Sequence, residues 1–223
     1  MINLLQFINH YSNQLNLILY CFMVLGVIAS SISGTIRAIE SNMDITGAIL
    51  LAFLNSNAGG TIRDMLLGTK IFWIVDHFYI WLTFLVAIIC FIFIYYNNKV
   101  ITNKRLHNLL IITDAMGLAA FCLAGVEKSL ICQQGYLIAI IMGIWTAIGG
   151  GVISDIISNR IPLVFSKELY IIVALIGAIT YIVLVNIINL HHAVGGIIAA
   201  IIMISFRLYS IKYKLKLPLV RHN

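Results

Sequence analysis

The chain has 223 residues, of which 61% are hydrophobic and 10% are charged, and its formal net charge is +6. Its mean hydropathy is +1.03, whereas a soluble domain carries roughly 25% charged residues. The composition therefore excludes an ordinary soluble protein and requires lipid around most of the chain. Little length is left for a soluble domain, and no nucleic-acid partner is predicted.

Apolar stretches long enough to cross a bilayer as a helix recur along the whole chain. They predict an all-α integral membrane protein with seven transmembrane helices, at about 16–38, 45–67, 76–96, 108–128, 135–158, 168–189 and 191–210. The N-terminal segment 1–15 contains no Lys or Arg, which does not fit a cleaved signal peptide. The cysteines have no Cys-x-x-Cys spacing and are interpreted as isolated thiols: Cys21, Cys90, Cys122 and Cys132.

Basic residues in the short connections predict the orientation, because Lys and Arg are retained on the cytoplasmic side. Lys99, Lys104 and Arg105 place the loop 97–107 inside. The tail 211–223 is also basic and is placed inside, so that seven spans leave the N-terminus outside. Docking to anionic lipid is an alternative reading of the tail. The other residues used in this assignment are Arg160, Lys167, Arg207, Lys212, Lys214, Lys216 and Arg221.

The two halves of the chain align without a gap at a shift of 91 residues. Each unit contains three helices, an odd number, so the second copy must enter the membrane from the opposite side and the repeats are inverted. The first repeat covers 16–96, the second covers 108–189, and the helix 190–210 is unpaired. The matching pairs are Gly26/Gly117, Gly34/Gly125, Gly59/Gly150, Gly60/Gly151, Ile62/Ile153, Asp64/Asp155, Tyr79/Tyr170 and Ala87/Ala178.

The second and fifth predicted helices contain consecutive glycines at equivalent positions. Glycine costs about 1 kcal/mol relative to Ala inside a helix, so both helices are predicted to be broken there. Discontinuous helices in inverted repeats mark permeation or substrate paths, and freed carbonyl oxygens replace part of a cation's hydration shell. The alternative is that these glycines only allow close helix packing. They are Gly59, Gly60, Gly149, Gly150 and Gly151.

Ionisable residues inside spanning segments usually mark pathways or ion pairs. We predict that Arg63 pairs with one or both of Asp64 and Asp155. The alternative places these charges at the membrane surface. Asn57 and Ser33 are candidate polar neighbours of the path. For Asp114 the sequence leaves two positions open, one facing the helix bundle and one at the membrane interface. Other polar residues near helix ends are interpreted mainly as interfacial: Thr35, Arg37, Glu127 and Lys128.

Three segments carry a family resemblance: G-G-T-I-R-D-M-L-L-G at 59–68, D-A-M-G-L-A-A-F at 114–121, and G-G-G-V-I-S-D followed by I-P-L-V-F and K-E-L-Y within 149–170. Together they resemble the prokaryotic branch of the trimeric intracellular cation (TRIC) channel family. The resemblance implies a homotrimer in the prokaryotic inner membrane, with a potassium-preferring path inside each protomer lined by helices two and five. No cofactor is implied; K⁺ is the expected permeant ion, and membrane lipids, including bound lipid, are the other expected partners.

The sequence departs from that family pattern at two positions. Ala58 stands where the first glycine of the triplet is usual, which is a mild change. Ser154 replaces the usual arginine of the second repeat, which either eases cation entry or leaves Asp155 without its partner. The repeats therefore match in register but not in charge.

The main alternative to a channel is a carrier for a small amino acid such as glycine, with which the same domain family is associated. Inverted repeats with broken helices suit alternating access equally well, and Arg63 is a candidate to hold a substrate carboxylate. An enzyme is not predicted, because the sequence contains no metal-ligand pair, nucleophile elbow or phosphate loop.

Overall fold

The computed structural model describes residues 2–97, 103–162, 164–165, 169–213 and 215. Within this part of the chain, seven helices are long and apolar enough to cross a membrane. Their number agrees with the sequence prediction and makes the protein an all-helical, multi-pass membrane protein. The helices are α1 Ile2–Glu40, α2 Ile45–Leu66, α3 Phe72–Val75, α4 Phe78–Tyr96, α5 Asn103–Ile131, α6 Tyr136–Ile157, α7 Tyr170–Ile182 and α8 His192–Lys212.

Most predicted boundaries lie within a few residues of the observed ones. The largest differences are at α1, which begins at Ile2, and at α5, which begins at Asn103 and so takes up part of the predicted loop 97–107. The short helix α3 was not predicted, because four residues are too few to give a periodic pattern. A π-helical segment, Val183–Ile187, continues α7.

Several residues used to predict the orientation lie outside the described part of the chain. Three residues of the I-P-L-V-F and K-E-L-Y motifs also lie outside it: Leu163, Lys167 and Glu168. The placement of the loop 97–107 and of the tail 211–223 on the cytoplasmic side therefore stays a prediction. The orientation residues concerned are Lys99, Lys167, Lys214, Lys216 and Arg221.

The helix α5 occupies the centre of the bundle and packs against α1, α6, α7 and α8, while α2 packs against α1, α4 and α6. Buried alanines and leucines of α5 form much of the main core. The outward face of α4 is apolar and exposed, with Trp81, Leu85 and Phe93 each more than half accessible. Such a face suits contact with lipid acyl chains.

The helix ends repeat at the same 91-residue shift. Gly68 and Asn159 both have a left-handed backbone, with φ of 65° and 54°. The next N–H in each case donates to the carbonyl of an aspartate, from Thr69 to Asp64 at 2.9 Å and from Arg160 to Asp155 at 2.8 Å. This left-handed termination satisfies the last carbonyls of a helix. Consequently α2 and α6 end alike, with their aspartates in equivalent places.

Candidate functional site

The two glycine segments meet where α2 crosses α6. A Cβ atom on Gly59 would collide with the backbone oxygen of Thr146, and one on Gly150 would collide with the backbone oxygen of Asn55. Asn55 and Thr146 are themselves equivalent positions of the two repeats. The close approach is thus reciprocal, and only glycine permits it.

The predicted breaks at the glycines are corrected by the structure. The α-helical backbone continues through Gly59 and Gly60 in α2 and through 149–151 in α6. Close packing of the two helices, the alternative considered from the sequence, accounts for Gly59 and Gly150. A continuous helix keeps its backbone groups paired internally, which avoids the cost of exposing them in a membrane.

Arg37 lies at the centre of a buried ionic cluster on one side of this crossing, which we call the Arg37 site. Its Nη2 atom is 2.6 Å from Oδ1 of Asp114 on α5, and its Nη1 atom is 3.2 Å from Oδ1 of Asp155 on α6. Nη1 also donates to Asn55 Oδ1 and to the Gly151 carbonyl, both at 3.3 Å. One guanidinium therefore links α1 to three other helices, and the side chains of both aspartates are less than a tenth exposed.

Polar and aromatic groups complete the Arg37 site. The Asn55 amide donates to Ser33 Oγ at 2.7 Å and so brings the predicted residue Ser33 to the site. The ring of Tyr170 is covered by the guanidinium of Arg207 on α8, 4.5 Å from the ring centre. A cavity of about 10 Å³ borders Arg37, Asp155 and Tyr170. That volume is no more than one water molecule needs, so the Arg37 site is closed.

Arg63 forms a second buried ion pair on the other side of the crossing, which we call the Arg63 site. Its Nε and Nη2 atoms are each 2.8 Å from Oδ1 of Asp64. The other Asp64 oxygen accepts the N–H of Phe72 at 2.9 Å. The remaining Nη1 atom faces the sulfur of Met23 at 3.6 Å. A cavity of about 180 Å³ adjoins Arg63 and the half-buried Lys128.

The two sites occupy equivalent positions of the repeats but differ in composition. At the shift of 91 residues Asp155 corresponds to Asp64, and Tyr170 corresponds to Tyr79, which lines the cavity beside Arg63. At the other equivalent positions the residue types differ. Arg37, Asp114 and Ser154 on the side of the Arg37 site correspond to Lys128, Met23 and Arg63 on the side of the Arg63 site.

The structure places the predicted charged residues as follows. Arg63 pairs with Asp64, while Asp155 lies beside Arg37 rather than Arg63. The surface alternative is wrong for Arg63, which is 1% exposed. The concern that Ser154 leaves Asp155 without a partner is also wrong, since Arg37 supplies the positive charge from α1.

Two predicted polar residues do not join either site. The Asn57 amide faces α4 and donates to Thr83 Oγ1 at 3.3 Å and to Ser56 Oγ at 2.9 Å. Ser154 is fully buried, and its hydroxyl has no hydrogen-bond partner among the described residues. Because α2 turns 100° per residue, Asn55 rather than Asn57 faces α1 and α6.

Sequence reasoning missed Arg37, Asp114 and Asn55 as members of the site. Arg37 was interpreted mainly as interfacial, whereas Asp114 was left between the bundle and the interface; the two residues are 1% and 7% exposed, so both side chains face the bundle. A signal was present for Arg37, because the repeat shift pairs it with a second basic residue, Lys128. No sequence signal marks Asp114, since its equivalent is Met23.

A third buried network links α5, α7 and α8. The Tyr181 hydroxyl donates to Glu127, whose other oxygen is 3.2 Å from Nδ1 of His192. Glu127 is 1% exposed, so its carboxylate is paired inside the helix bundle. In the described part of the chain, no group of three His, Cys, Asp or Glu side chains lies close enough to hold a metal ion.

The chain matches the family model described as Glycine transporter over residues 20–95 and 111–186. Both ends of the second matched segment lie 91 residues after those of the first, which is the shift at which the sequence aligns with itself. The two segments together span more than half of the chain. The family model therefore matches the chain twice, once in each half.

Similar proteins include a UPF0126 membrane protein of Vibrio cholerae, which is 40% identical to this chain. The alignment covers 73% of this chain and 66% of the relative, so the chain spans about two thirds of that relative's length. The UPF0126 inner membrane protein YadS of Escherichia coli K12 is 29% identical over 91% of this chain and 96% of its own. Among solved structures, the TRIC trimeric intracellular cation channel orthologue from Rhodobacter sphaeroides has a TM-score of 0.80, 29% identity, and coverage of 88% of this chain and 98% of its own.

Proposed function

We propose that the chain, which belongs to the Glycine transporter family and is similar to UPF0126 membrane proteins and solved TRIC channels, is a potassium-preferring monovalent-cation channel of the inner membrane. Each protomer carries its own path, lined by α2 and α6 around their crossing. The N-terminus is outside and the C-terminus is cytoplasmic, so the Arg37 site faces the cytoplasmic half and the Arg63 site the outer half.

The observation that carries this proposal is the Arg37 site. Charged groups in a spanning segment are expensive and persist where they serve a path or a pair. Here two carboxylates, Asp114 and Asp155, share the Arg37 guanidinium, and these three side chains sum to a formal charge of −1. The Arg207 guanidinium is stacked on the Tyr170 ring and is not part of this sum. A negative site beside the crossing favours a cation over an anion.

Conduction requires the Arg37 side chain to move, because the adjoining cavity holds at most about one water molecule. When the guanidinium leaves one aspartate, carboxylate oxygens, the Gly151 carbonyl and Asn55 Oδ1 become ligands for a partly dehydrated K⁺. Oxygen ligands of this kind replace the hydration shell of a permeating ion. Arg37 is then the closing element of the path.

Transport of a small amino acid such as glycine is the second candidate. It is favoured by the description of the family model and by the cationic Arg63 site, which suits a carboxylate. A carrier binds both ends of such a zwitterion in an occluded pocket, whereas a channel needs a continuous wet path.

The test is to reconstitute the purified protein in planar bilayers under a KCl gradient and, in parallel, to follow labelled glycine in proteoliposomes. Single-channel steps that reverse near the potassium potential are expected. Saturable glycine uptake without unitary currents would replace the channel by the carrier. Gly60→Leu and Gly150→Leu are expected to abolish either activity, and normal flux in both variants would reject the assigned path.

The homotrimer is proposed from the resemblance to the trimeric R. sphaeroides channel. Native mass spectrometry in detergent is expected to give a particle of three 24.8 kDa chains. A protein that is purely monomeric and still conducts would contradict the proposed trimer, but it would agree with a path inside each protomer.

A further inference from the structure

Leaving aside Arg207, which stacks on Tyr170, the charged side chains of the Arg63 site and of the Arg37 site sum to opposite formal charges. The Arg37 site combines one arginine with two aspartates. At the equivalent positions, the Arg63 site combines Arg63 and Lys128 with the single carboxylate of Asp64. Met23 stands where the Arg37 site has Asp114, and Arg63 stands where it has Ser154. These two differences change the summed formal charge from −1 to +1.

The Asp64 carboxylate is already engaged by Arg63 and by the Phe72 N–H. Its Oδ1 atom accepts from both Nε and Nη2 of Arg63, and its Oδ2 atom accepts the Phe72 N–H. Within the described part of the chain, no carboxylate lies within salt-bridge distance of Lys128. The second positive charge therefore faces the cavity without an acidic partner there.

Arg63 also has a donor that is poorly used. The side chain is 1% exposed, yet among the described residues its Nη1 atom meets only the thioether sulfur of Met23, at 3.6 Å. Sulfur is a weak acceptor, and a buried charged donor without a good acceptor costs free energy. A small anion beside Arg63 would supply the missing acceptor.

The cavity between these two cations is large enough for such a ligand. Its volume is about 180 Å³, many times the roughly 10–15 Å³ that one water needs. None of its lining residues is acidic, and aromatic rings form much of its wall: Leu19, Tyr20, Met23, Arg63, Phe72, Tyr79 and Lys128.

We propose that this cavity binds a small monovalent anion, either chloride or the carboxylate of a small amino acid, between Arg63 and Lys128. Occupancy by chloride brings the local charge from +1 to zero and removes an electrostatic barrier on the path of a cation. The anion site is inferred from the charges and the cavity alone, so it does not depend on which solute crosses the membrane.

Binding is measured by thermal unfolding in detergent, without any transport assay. Potassium gluconate is replaced stepwise by potassium chloride or potassium acetate at constant ionic strength, and glycine is added in a separate series. A ligand that binds only the folded state raises Tm with concentration. We expect such a rise, lost in Lys128→Met and kept in Lys128→Arg.

Two further variants separate binding from general charge and folding effects. Lys70→Met removes an exposed lysine that follows α2 and is expected to keep the anion dependence. Met23→Asp introduces the carboxylate that Asp114 provides in the second repeat, and is expected to abolish the anion dependence while the protein still unfolds cooperatively.

The three ligands distinguish the source of the anion. A rise with chloride and acetate supports a general monovalent-anion site, and a rise with glycine alone supports the carboxylate of an amino acid. A wild-type Tm that responds to none of them overturns the proposal. An unchanged response in Lys128→Met overturns it as well, whatever the bilayer recordings give.

Discussion

The buried charge of Arg37 is compensated by the carboxylates of Asp114 and Asp155, and the guanidinium compensates theirs. All three side chains are at least nine-tenths buried, so removal of the guanidinium leaves two carboxylates in a region of low dielectric. Breaking a buried pair costs about 3–5 kcal/mol, because an uncompensated charge stays behind. Arg37→Met is therefore expected to lower Tm sharply in a detergent unfolding experiment.

The matched comparison is the ion pair between Arg160 and Glu40. Its atoms are 2.9 Å apart, but the two side chains are 31% and 20% exposed. Such a pair contributes about 0–1 kcal/mol, so Arg160→Gln is expected to change Tm little. The triple variant Arg37→Met, Asp114→Asn, Asp155→Asn is expected to recover part of the lost stability. Equal effects of Arg37→Met and Arg160→Gln would show that the Arg37 charge is not buried.

At the scale of the helices, the crossing of α2 and α6 depends on two individual glycines rather than on the whole glycine run. The Cβ of an alanine at position 150 would strike the Asn55 backbone, which cannot move aside like a flexible side chain. Forcing extra atoms into a packed interior costs about 1–3 kcal/mol. Gly150→Ala is thus expected to lower Tm.

The neighbouring residue is the control for this prediction. At Gly151 the nearest atom to an added Cβ is Arg37 Nη1 at 3.5 Å, an ordinary contact. Gly151→Ala is expected to be neutral or stabilising by up to about 1 kcal/mol, because alanine favours a helix over glycine. If both alanines lower Tm equally, helix bending rather than close packing accounts for the glycines.

The network of Glu127, Tyr181 and His192 joins α7 and α8 to the central helix α5. Tyr181→Phe removes the hydroxyl that donates to Glu127 and leaves most of the ring packing intact. A hydrogen bond to a buried charged group contributes about 1.5–3 kcal/mol. We expect a lower Tm for Tyr181→Phe and little change for Tyr209→Phe, whose ring is half exposed on α8. Equal losses would contradict a specific role for the network.

For the molecule as a whole, the apolar composition was sufficient to predict seven spanning helices. The alignment of the sequence with itself predicted that six of them form two repeats of three helices. Apolar length decides which segments span a membrane. The backbone also repeats at the 91-residue shift. Asn42 and Gln133, which follow the ends of α1 and α5, both have a left-handed backbone, with φ of 56° and 57°. Fold-level features of this kind depend on many residues at once and survive local changes.

The ion pairs could not be predicted in the same way. Arg37, Asp114 and Asp155 come from three helices that are distant in sequence, and their contact depends on helix rotation by a fraction of a turn. The sequence also gave no way to choose between broken and closely packed helices, because glycine permits both. That choice rests on the approach of Gly59 and Gly150 to opposing backbone oxygens.

We propose that ions pass the α2–α6 crossing beside the Arg37 site. In a background with Cys21, Cys90, Cys122 and Cys132 replaced by Ala, Gly151→Cys places a thiol at this site, and Leu85→Cys places one on the lipid-facing surface of α4. Macroscopic potassium current is recorded before and after a cationic methanethiosulfonate reagent, with labelling checked by mass spectrometry. We expect loss of current for Gly151→Cys and no change of current for Leu85→Cys. Full current through a labelled Gly151→Cys protein would contradict it.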